Sequence, residues 1–351
     1  MRIALSCCGE GFGHASRLVT LYEELQHRYD ITILCPSTVS GYIREKVPGA
    51  RINYIPRFTF VKENGRIRYY WTVKTNLTTL GRMPWVIDRL YRRLVDLRIE
   101  AVVTDFDPFT SLAAKRGGIP VIEFNHPGMI LNHFSLIPSA LASKIVARFM
   151  ESWYDRKINC SFYGSSHGPL IRDEIARQKP ERGDFYLVYL NGMSREAVFD
   201  LLSPFSKESF RVFPDGERDF VRSLAACKGV ITTAGHQLIS EAVSLGKPLF
   251  VIPMNGQYEQ KLNGKMLERS GWGMTGGLDN LDELLPGFFR KINTYPRPVM
   301  DQLTDFILTN DKDNIIRSIE MFFAESKIKR RRQPSGKILY TVRSILRYNQ
   351  F

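Results

Sequence analysis

Apolar and polar positions change period repeatedly along the first half of the chain. Short apolar, β-branched runs at Arg2–Cys7, Ile31–Cys35, Arg51–Ile55, Ala101–Thr104 and Val121–Phe124 read as strands. Between them, apolar residues recur at helical spacing. Leu18, Leu21 and Leu25 mark a helix in Ala15–His27, and Val39–Lys46 reads as a shorter one. Lys74–Leu97 is a long helical pattern broken near Gly81–Pro84, and Phe109–Lys115 is another helix. Strands alternating with helices through short turns predict a parallel sheet covered on both faces. The pattern restarts at Phe185–Leu190, followed by Gly192 and a helix from Arg195. Further strands are predicted at Phe210–Phe213, Gly229–Thr232 and Pro248–Ile252. Helices are predicted at Glu217–Ala226, Gln237–Leu245, Tyr258–Arg269 and Leu281–Ile292. The fold class is therefore α/β, with two doubly wound halves. The linker falls in the Gly-, Pro-, Ser- and charge-rich stretch Tyr163–Arg182, which divides the chain into 1–165, 166–326 and a tail 327–351.

Phe58–Trp71 departs from this alternation. Two aromatic and β-branched runs flank Asn64-Gly65, a type I′ hairpin signal. Such an insertion is either a flap over the acceptor side or an extra edge hairpin.

Composition narrows the class. A chain of 351 residues with 44% hydrophobic positions can bury two cores and is not globally disordered. Five cysteines, an odd number with no C-x-x-C pair, suit buried thiols and argue against a disulfide scaffold or structural zinc. No stretch approaches the roughly 18–20 apolar residues of a membrane span. The expected location is cytoplasmic, either soluble or peripheral on the inner face of the cytoplasmic membrane. The net charge is +13, but the tail holds eight basic residues and no acidic one, which leaves +5 for residues 1–326. Overall charge is thus a weak argument for nucleic acid, and no nucleic-acid partner is expected. Within the tail, Ile338, Leu339, Val342, Ile345 and Leu346 form one apolar helical face beside Lys337, Arg343 and Arg347, after a KIKRRR cluster. A basic amphipathic helix suits an anionic membrane surface, or packs on the body with its charges solvated. Arg82–Arg98, with Trp85, Arg89, Tyr91, Arg92 and Arg93, is a second basic and aromatic stretch.

Two loops carry candidate chemistry. Gly9-Glu10-Gly11-Phe12-Gly13-His14 follows a strand and opens a helix, so its backbone can approach a ligand and its helix start favours anions. It is not a dinucleotide fingerprint. His14 occupies the third glycine position, and Cys35-Pro36 replaces the acidic residue at the end of the second strand. His14 stands where a general base could reach a hydroxyl, or it merely caps the helix. The second loop, Thr233-Ala234-Gly235-His236, offers backbone N–H groups and a helix dipole to a diphosphate. Glu241, early in that helix, can accept hydrogen bonds from a vicinal diol such as ribose. Glu259 and Gln260 open the next helix, where polar side chains could bind sugar hydroxyls.

Together, GEGFGHASR at 9–17 and TTAGHQLISEAVSLGKPLFVIPMNGQYEQKLNGKML at 232–267 resemble the GT-B glycosyltransferases. The resemblance is to the family 28-type group: the enzyme adding N-acetylglucosamine to undecaprenyl-linked muramyl-pentapeptide, and the galactolipid synthases. It implies two facing Rossmann-like domains, the acceptor bound mainly by the first and a nucleoside diphosphate-sugar, UDP-sugar by resemblance, by the second. It places the diphosphate at Ala234, Gly235 and His236, the ribose at Glu241 and the sugar at Glu259 and Gln260. Gly192 and Ser194 match a further phosphate-side loop, and Phe213 the place of the base. His14 is the implied catalytic base or lines the phosphates, in an acceptor-side loop with Gly11, Gly13 and Arg17. Asp105 and Asp107, ending the fourth strand, and His126, after the fifth, also point into the predicted cleft. They would bind acceptor or act as alternative bases, with Asp105 the second catalytic candidate, or they are strand-end caps. Glu-Gln at 259–260, where the family often has Asp-Gln or Gln-Gln, leaves the donor sugar open. Ala15-Ser16-Arg17, where the peptidoglycan enzyme typically has a proline nearby, points to another acceptor.

The implied reaction is glycosyl transfer to a hydroxyl acceptor, lipid-linked given the basic stretches. Asp105-Phe106-Asp107 has the letters of a D-x-D motif but lies in the acceptor-side half, away from the predicted diphosphate. No metal and no cofactor beyond the nucleotide-sugar co-substrate is therefore expected. The alternatives are a sugar-nucleotide 2-epimerase of the same architecture and a non-catalytic nucleotide-sugar-binding protein.

Overall fold

A computed structural model describes residues 1–63, 66–296 and 306–332. In chain order the first domain comprises β1 (Arg2–Cys7), α1 (Phe12–Leu25), β2 (Asp30–Cys35), α2 (Ser37–Lys46), β3 (Arg51–Tyr54), β4 (Lys62–Glu63), β5 (Arg66–Ile67), α3 (Tyr69–Gly81), α4 (Met83–Asp96), β6 (Ala101–Asp105), α5 (Pro108–Arg116), β7 (Val121–Asn125), α6 (Pro138–Met150) and β8 (Arg156–Asn159). After α7 (Asp173–Ala176), the second domain comprises β9 (Phe185–Tyr189), α8 (Arg195–Leu202), β10 (Ser209–Val212), α9 (Phe220–Ala226), β11 (Gly229–Thr232), α10 (His236–Ser244), β12 (Leu249–Val251), α11 (Tyr258–Arg269), β13 (Gly273–Thr275) and α12 (Leu281–Arg290). A last helix, α13, covers Lys312–Arg332.

Both main sheets are wholly parallel, in the orders β3-β2-β1-β6-β7-β8 and β10-β9-β11-β12-β13. Their central strands are buried on both faces, which explains their continuous apolar runs: β1 buries Ile3, Ala4, Leu5 and Cys7 at 1% exposure or less. In each sheet the strand order reverses beside the first strand. The crossovers from β1 run to β2 on one side and onward to β6 on the other, which opens a crevice beyond the carboxyl ends of β1 and β6. The second sheet does the same at β9 and β11. The two loops singled out in the sequence leave β1 and β11, so topology alone brings both to switch points.

Three findings depart from the sequence reading. The hairpin expected around Asn64-Gly65 is present but short: Lys62–Glu63 pairs antiparallel with Arg66–Ile67, and the two turn residues lie outside the described residues. Beyond that ladder the first aromatic run folds inward, Phe58 meeting Phe60 edge-to-face and Phe149 of α6 at a tilt, while Tyr69–Trp71 starts α3. The segments 138–150, 156–159 and 273–275 form α6, β8 and β13, which the pattern did not predict. Finally, α13 returns to the first domain, where Ile315, Ile316, Ile319, Phe322 and Phe323 join the core beneath α1. The segment 166–326 thus ends on the first sheet. Among the described residues, no helix is long and apolar enough to cross a membrane. The apolar stripe Ile338–Leu346 lies outside the described residues.

Candidate functional site

The loop leaving β1 is shaped by its glycines. Gly9 and Gly11 have φ of 73° and 80°, and a Cβ on Gly9 would meet Pro36 at 2.8 Å. The tight turn sets His14 in the first turn of α1, opposite the end of β6. His14 Nδ1–H donates to Asp105 Oδ1 at 2.7 Å. Arg17, one turn on, donates from Nε to Asp105 Oδ2 at 2.9 Å and from Nη2 to Oδ1 at 3.0 Å. With Nδ1 spent on the carboxylate, Nε2 is left as the basic nitrogen. All three side chains are buried, His14 being 9% exposed. Burial opposes the imidazolium, but the Asp105 charge and hydrogen bond outweigh it, and the pKa of His14 rises to about 10. Burial raises the Asp105 pKa too, yet Arg17 and His14 hold it below the usual carboxylate value.

Phe106 stacks parallel to the His14 ring, centroids 6.0 Å apart. Its φ of 60° is in the left-handed region, unusual for a large side chain, and its N–H is held by Glu123 Oε1 at 2.9 Å. Asp107 turns away and caps α5, accepting from Phe109 N at 3.0 Å and Thr110 N at 3.4 Å, and burial pushes its pKa up to about 6. The D-x-D letters therefore do not present two carboxylates together. Among the described residues, no three His, Cys, Asp or Glu side chains converge as a metal site.

Across the cleft, β11 runs through Thr233 and Ala234 into α10, with Gly235 as N-cap. No side chain caps this helix, so its first-turn N–H groups face the cleft uncompensated. His236 Nε2 accepts from Phe162 N at 3.2 Å, which puts its proton on Nδ1, and Nδ1 has no partner among the described residues. Glu241 is 1% exposed and accepts from Arg172 Nε at 2.6 Å, Arg172 Nη2 at 2.7 Å and Gln237 at 2.9 Å. Gln260 Oε1 accepts from Met254 N at 2.8 Å and so fixes the loop after β12. Ser194 caps α8 through Ala197 N at 3.2 Å, and Gly192 has a φ of 89°.

A cavity of about 680 Å³ between the domains unites most of these positions. Gly11, Gly13, His14 and Arg17 line it from the first domain. Phe213, Gly235, His236, Glu241, Glu259 and Gln260 line it from the second. Asp105 stands behind His14, and Ala234, fully buried, gives its carbonyl to Asn263 Nδ2 at 3.0 Å. Gly192 and Ser194 are not in the wall, where Tyr189 and Asn191 stand instead. His126 is outside the wall as well. Its ring lies 3.6 Å from that of His236, and Nε2 donates to Asn263 Oδ1 at 2.9 Å, so it joins the two domains under the cleft. Burial pushes its pKa down to about 3. A smaller pocket of about 110 Å³ opens on the other side of His14, walled by Phe60, Phe106, Pro127, Ile130, Val146 and Ala147, with Glu10 and Glu259 at its polar edge.

Sequence reasoning missed Arg172, Tyr42 and Asn263. Arg172 lay in a linker read only for its composition, and Tyr42 on a helix read only for its apolar period. Asn263, fully buried within KLNGKML, bonds three residues: His126, Tyr163 and Ala234. A polar residue on the apolar face of α11 was its one available signal.

The sequence family described as Glycosyl transferase family 1 matches residues 1–292. The chain is similar to an uncharacterized glycosyltransferase of Methanosarcina mazei, 23% identical over 329 residues, covering 78% of this chain and 85% of that one. In fold it is similar to MurG of Acinetobacter baumannii, with a TM-score of 0.58 and 14% identity over 91% of this chain and 99% of that one. It is similar also to UGT2 of Phytolacca americana, complexed with UDP-2-fluoro-glucose and pterostilbene, with a TM-score of 0.59 and 13% identity over 90% and 99%. The architecture is thus GT-B, two facing Rossmann-like domains.

Proposed function

The chain belongs to glycosyl transferase family 1 and is a glycosyltransferase, and we propose that it moves a sugar from a UDP-sugar to the hydroxyl of a lipid-linked acceptor. One observation carries this reading: His14, oriented by Asp105, stands in the wall shared by the large cavity and the small pocket. The acceptor hydroxyl gives its proton to His14 Nε2 while its oxygen bonds the anomeric carbon. The bond from that carbon to the diphosphate breaks, and the departing charge meets the uncapped start of α10 at Gly235 and the Nδ1–H of His236. This leaves no step that requires a divalent metal. The cavity size suits a nucleoside diphosphate-sugar, and UDP is favoured because the similarly folded Phytolacca protein holds UDP-2-fluoro-glucose.

The first test is a screen of nucleotide-sugars, with and without acceptor lipids and with chelator. Transfer from a UDP-sugar that survives the chelator is expected. Release of an altered nucleotide-sugar without acceptor would instead mean an epimerase, and binding without turnover a non-catalytic protein.

The lipid part of the proposal rests on the surface around the small pocket. Phe134, Leu136, Ile137, Leu141 and Ile145 are exposed, 86% in the case of Phe134, on the segment whose Val146 and Ala147 line that pocket. Tyr70, Trp71, Val73 and Leu77 are exposed on α3. Neither 131–150 nor 68–87 contains an acidic residue, while Lys74, Arg82, Lys144 and Arg148 supply positive charge. So much exposed apolar surface bordered by one sign of charge suits an anionic bilayer. The variant Leu141→Glu/Ile145→Glu is expected to reduce co-sedimentation with anionic vesicles at least about tenfold, since each charge near the surface contributes about 1 kcal/mol. Undiminished binding would remove this face from the membrane role.

A further inference from the structure

A nucleoside bound at Glu241 would find that carboxylate already largely occupied. A carboxylate has about four lone-pair positions. Arg172 Nε and Gln237 take Oε1, and Arg172 Nη2 takes one position on Oε2. One acceptor position remains, on Oε2, whereas a ribose offers two vicinal hydroxyls. The guanidinium is itself held on its far side by Glu174 at 2.7 Å, and Glu174 in turn receives Lys46 of α2 at 2.9 Å. Arg172 is therefore anchored where it is, and releasing Glu241 to serve both hydroxyls would break a bidentate pair with a buried carboxylate.

The same cavity supplies a second polar atom. Tyr42, on α2 of the first domain, lines it together with Arg172, Gln237 and Glu241. Its hydroxyl oxygen is buried and has no hydrogen-bond partner among the described residues. The ring is positioned by contact with Phe12, centroids 5.4 Å apart. The charges of Arg172, Lys46, Glu174 and Glu241 all act on this hydroxyl, whose pKa burial raises. A buried phenol without a partner is costly, and a phenol can both donate and accept.

We propose that Tyr42 is a ribose-binding residue contributed by the first domain. One ribose hydroxyl donates to Glu241 Oε2 and its neighbour pairs with the Tyr42 hydroxyl, while Arg172 holds Glu241 in place. The proposal rests on the reading of Glu241 as the ribose carboxylate. It adds that nucleoside recognition spans both domains, so that the donor helps to hold the cleft closed.

The test compares UDP with 2′,3′-dideoxy-UDP by isothermal titration calorimetry on wild type, Tyr42→Phe and Glu241→Gln. Wild type is expected to prefer UDP. Tyr42→Phe, which keeps the ring packing, is expected to lower that preference about three- to tenfold while leaving affinity for the dideoxy nucleotide unchanged. A structural role for Tyr42 would weaken both nucleotides equally and overturn the proposal. Loss of preference in Glu241→Gln but not in Tyr42→Phe would also overturn it, with the Glu241 reading intact. Preference retained in Glu241→Gln, or absent from wild type, would remove that reading and the proposal together.

Discussion

His14→Ala is expected to lower sugar transfer by about 10²–10⁴-fold, the range a positioned general base supplies. Donor binding should change little, because the groups proposed to hold the diphosphate stand across the cleft at the start of α10. The pH dependence gives the sharper check. Only neutral His14 can take the acceptor proton, and Asp105 raises its pKa to about 10. Wild-type kcat/KM should therefore climb about tenfold per pH unit through neutrality and level off only in the alkaline range. Asp105→Asn keeps a side chain of the same shape but removes the charge that raises the pKa, leaving burial, which lowers it. The rising limb should move down by more than one pH unit, with a lower plateau because a weaker base accepts the proton less readily. An unmoved limb in Asp105→Asn, or full activity in His14→Ala, would remove the pair from the reaction.

The readability of this site in the sequence follows from how local each constraint is. Arg2–Cys7, Gly229–Thr232 and Tyr258–Arg269 occur with the bounds their patterns suggest, since a doubly buried strand must be uniformly apolar and an amphipathic helix must keep its period. His14 and Gly235 were legible because a glycine turn between a strand and a helix restricts what can stand there. Arg172 was not, because its partner Glu241 is 69 residues away and nothing local marks the pair. For the same reason α13 read as part of the second domain, whereas its apolar face meets α1 of the first. Phe58–Trp71 was legible at its centre, where Lys62–Glu63 and Arg66–Ile67 pair around Asn64-Gly65, but not at its ends. Its aromatic residues satisfy β-propensity, but burial of Phe58 against Phe149 and the helix of Tyr69–Gly81 decided the outcome. Propensity gave way to burial at Phe58, whereas Tyr70 and Trp71 stay exposed on α3.

Arg17→Leu is expected to destabilise the first domain more than any other single change near the site. Arg17 and Asp105 are each 3% exposed, and two N–H groups of the guanidinium meet both carboxylate oxygens. Removing Arg17 takes a charged donor from both oxygens and leaves the buried Asp105 carboxylate to His14 alone, and breaking one side of such a buried pair costs about 3–5 kcal/mol. For a domain of this size that is a loss of roughly 6–20 °C in melting temperature. Arg17→Lys should fall between wild type and Arg17→Leu, because an ammonium restores the charge but not the planar two-point contact. The wild-type pair also carries an acid signature. Asp105 is held below its usual pKa, so its stabilisation is present above the ordinary carboxylate range near pH 4 and is lost as pH falls through the lower folded value. Arg17→Leu should flatten that part of the stability profile. The double variant Arg17→Leu/Asp105→Leu separates stability from chemistry. With no buried charge left unpaired, it should regain much of the lost stability by denaturant unfolding, yet transfer no sugar at the wild-type rate, because His14 has lost the carboxylate that orients Nδ1. Recovery of both stability and rate would mean that the Asp105–Arg17 pair serves the fold alone.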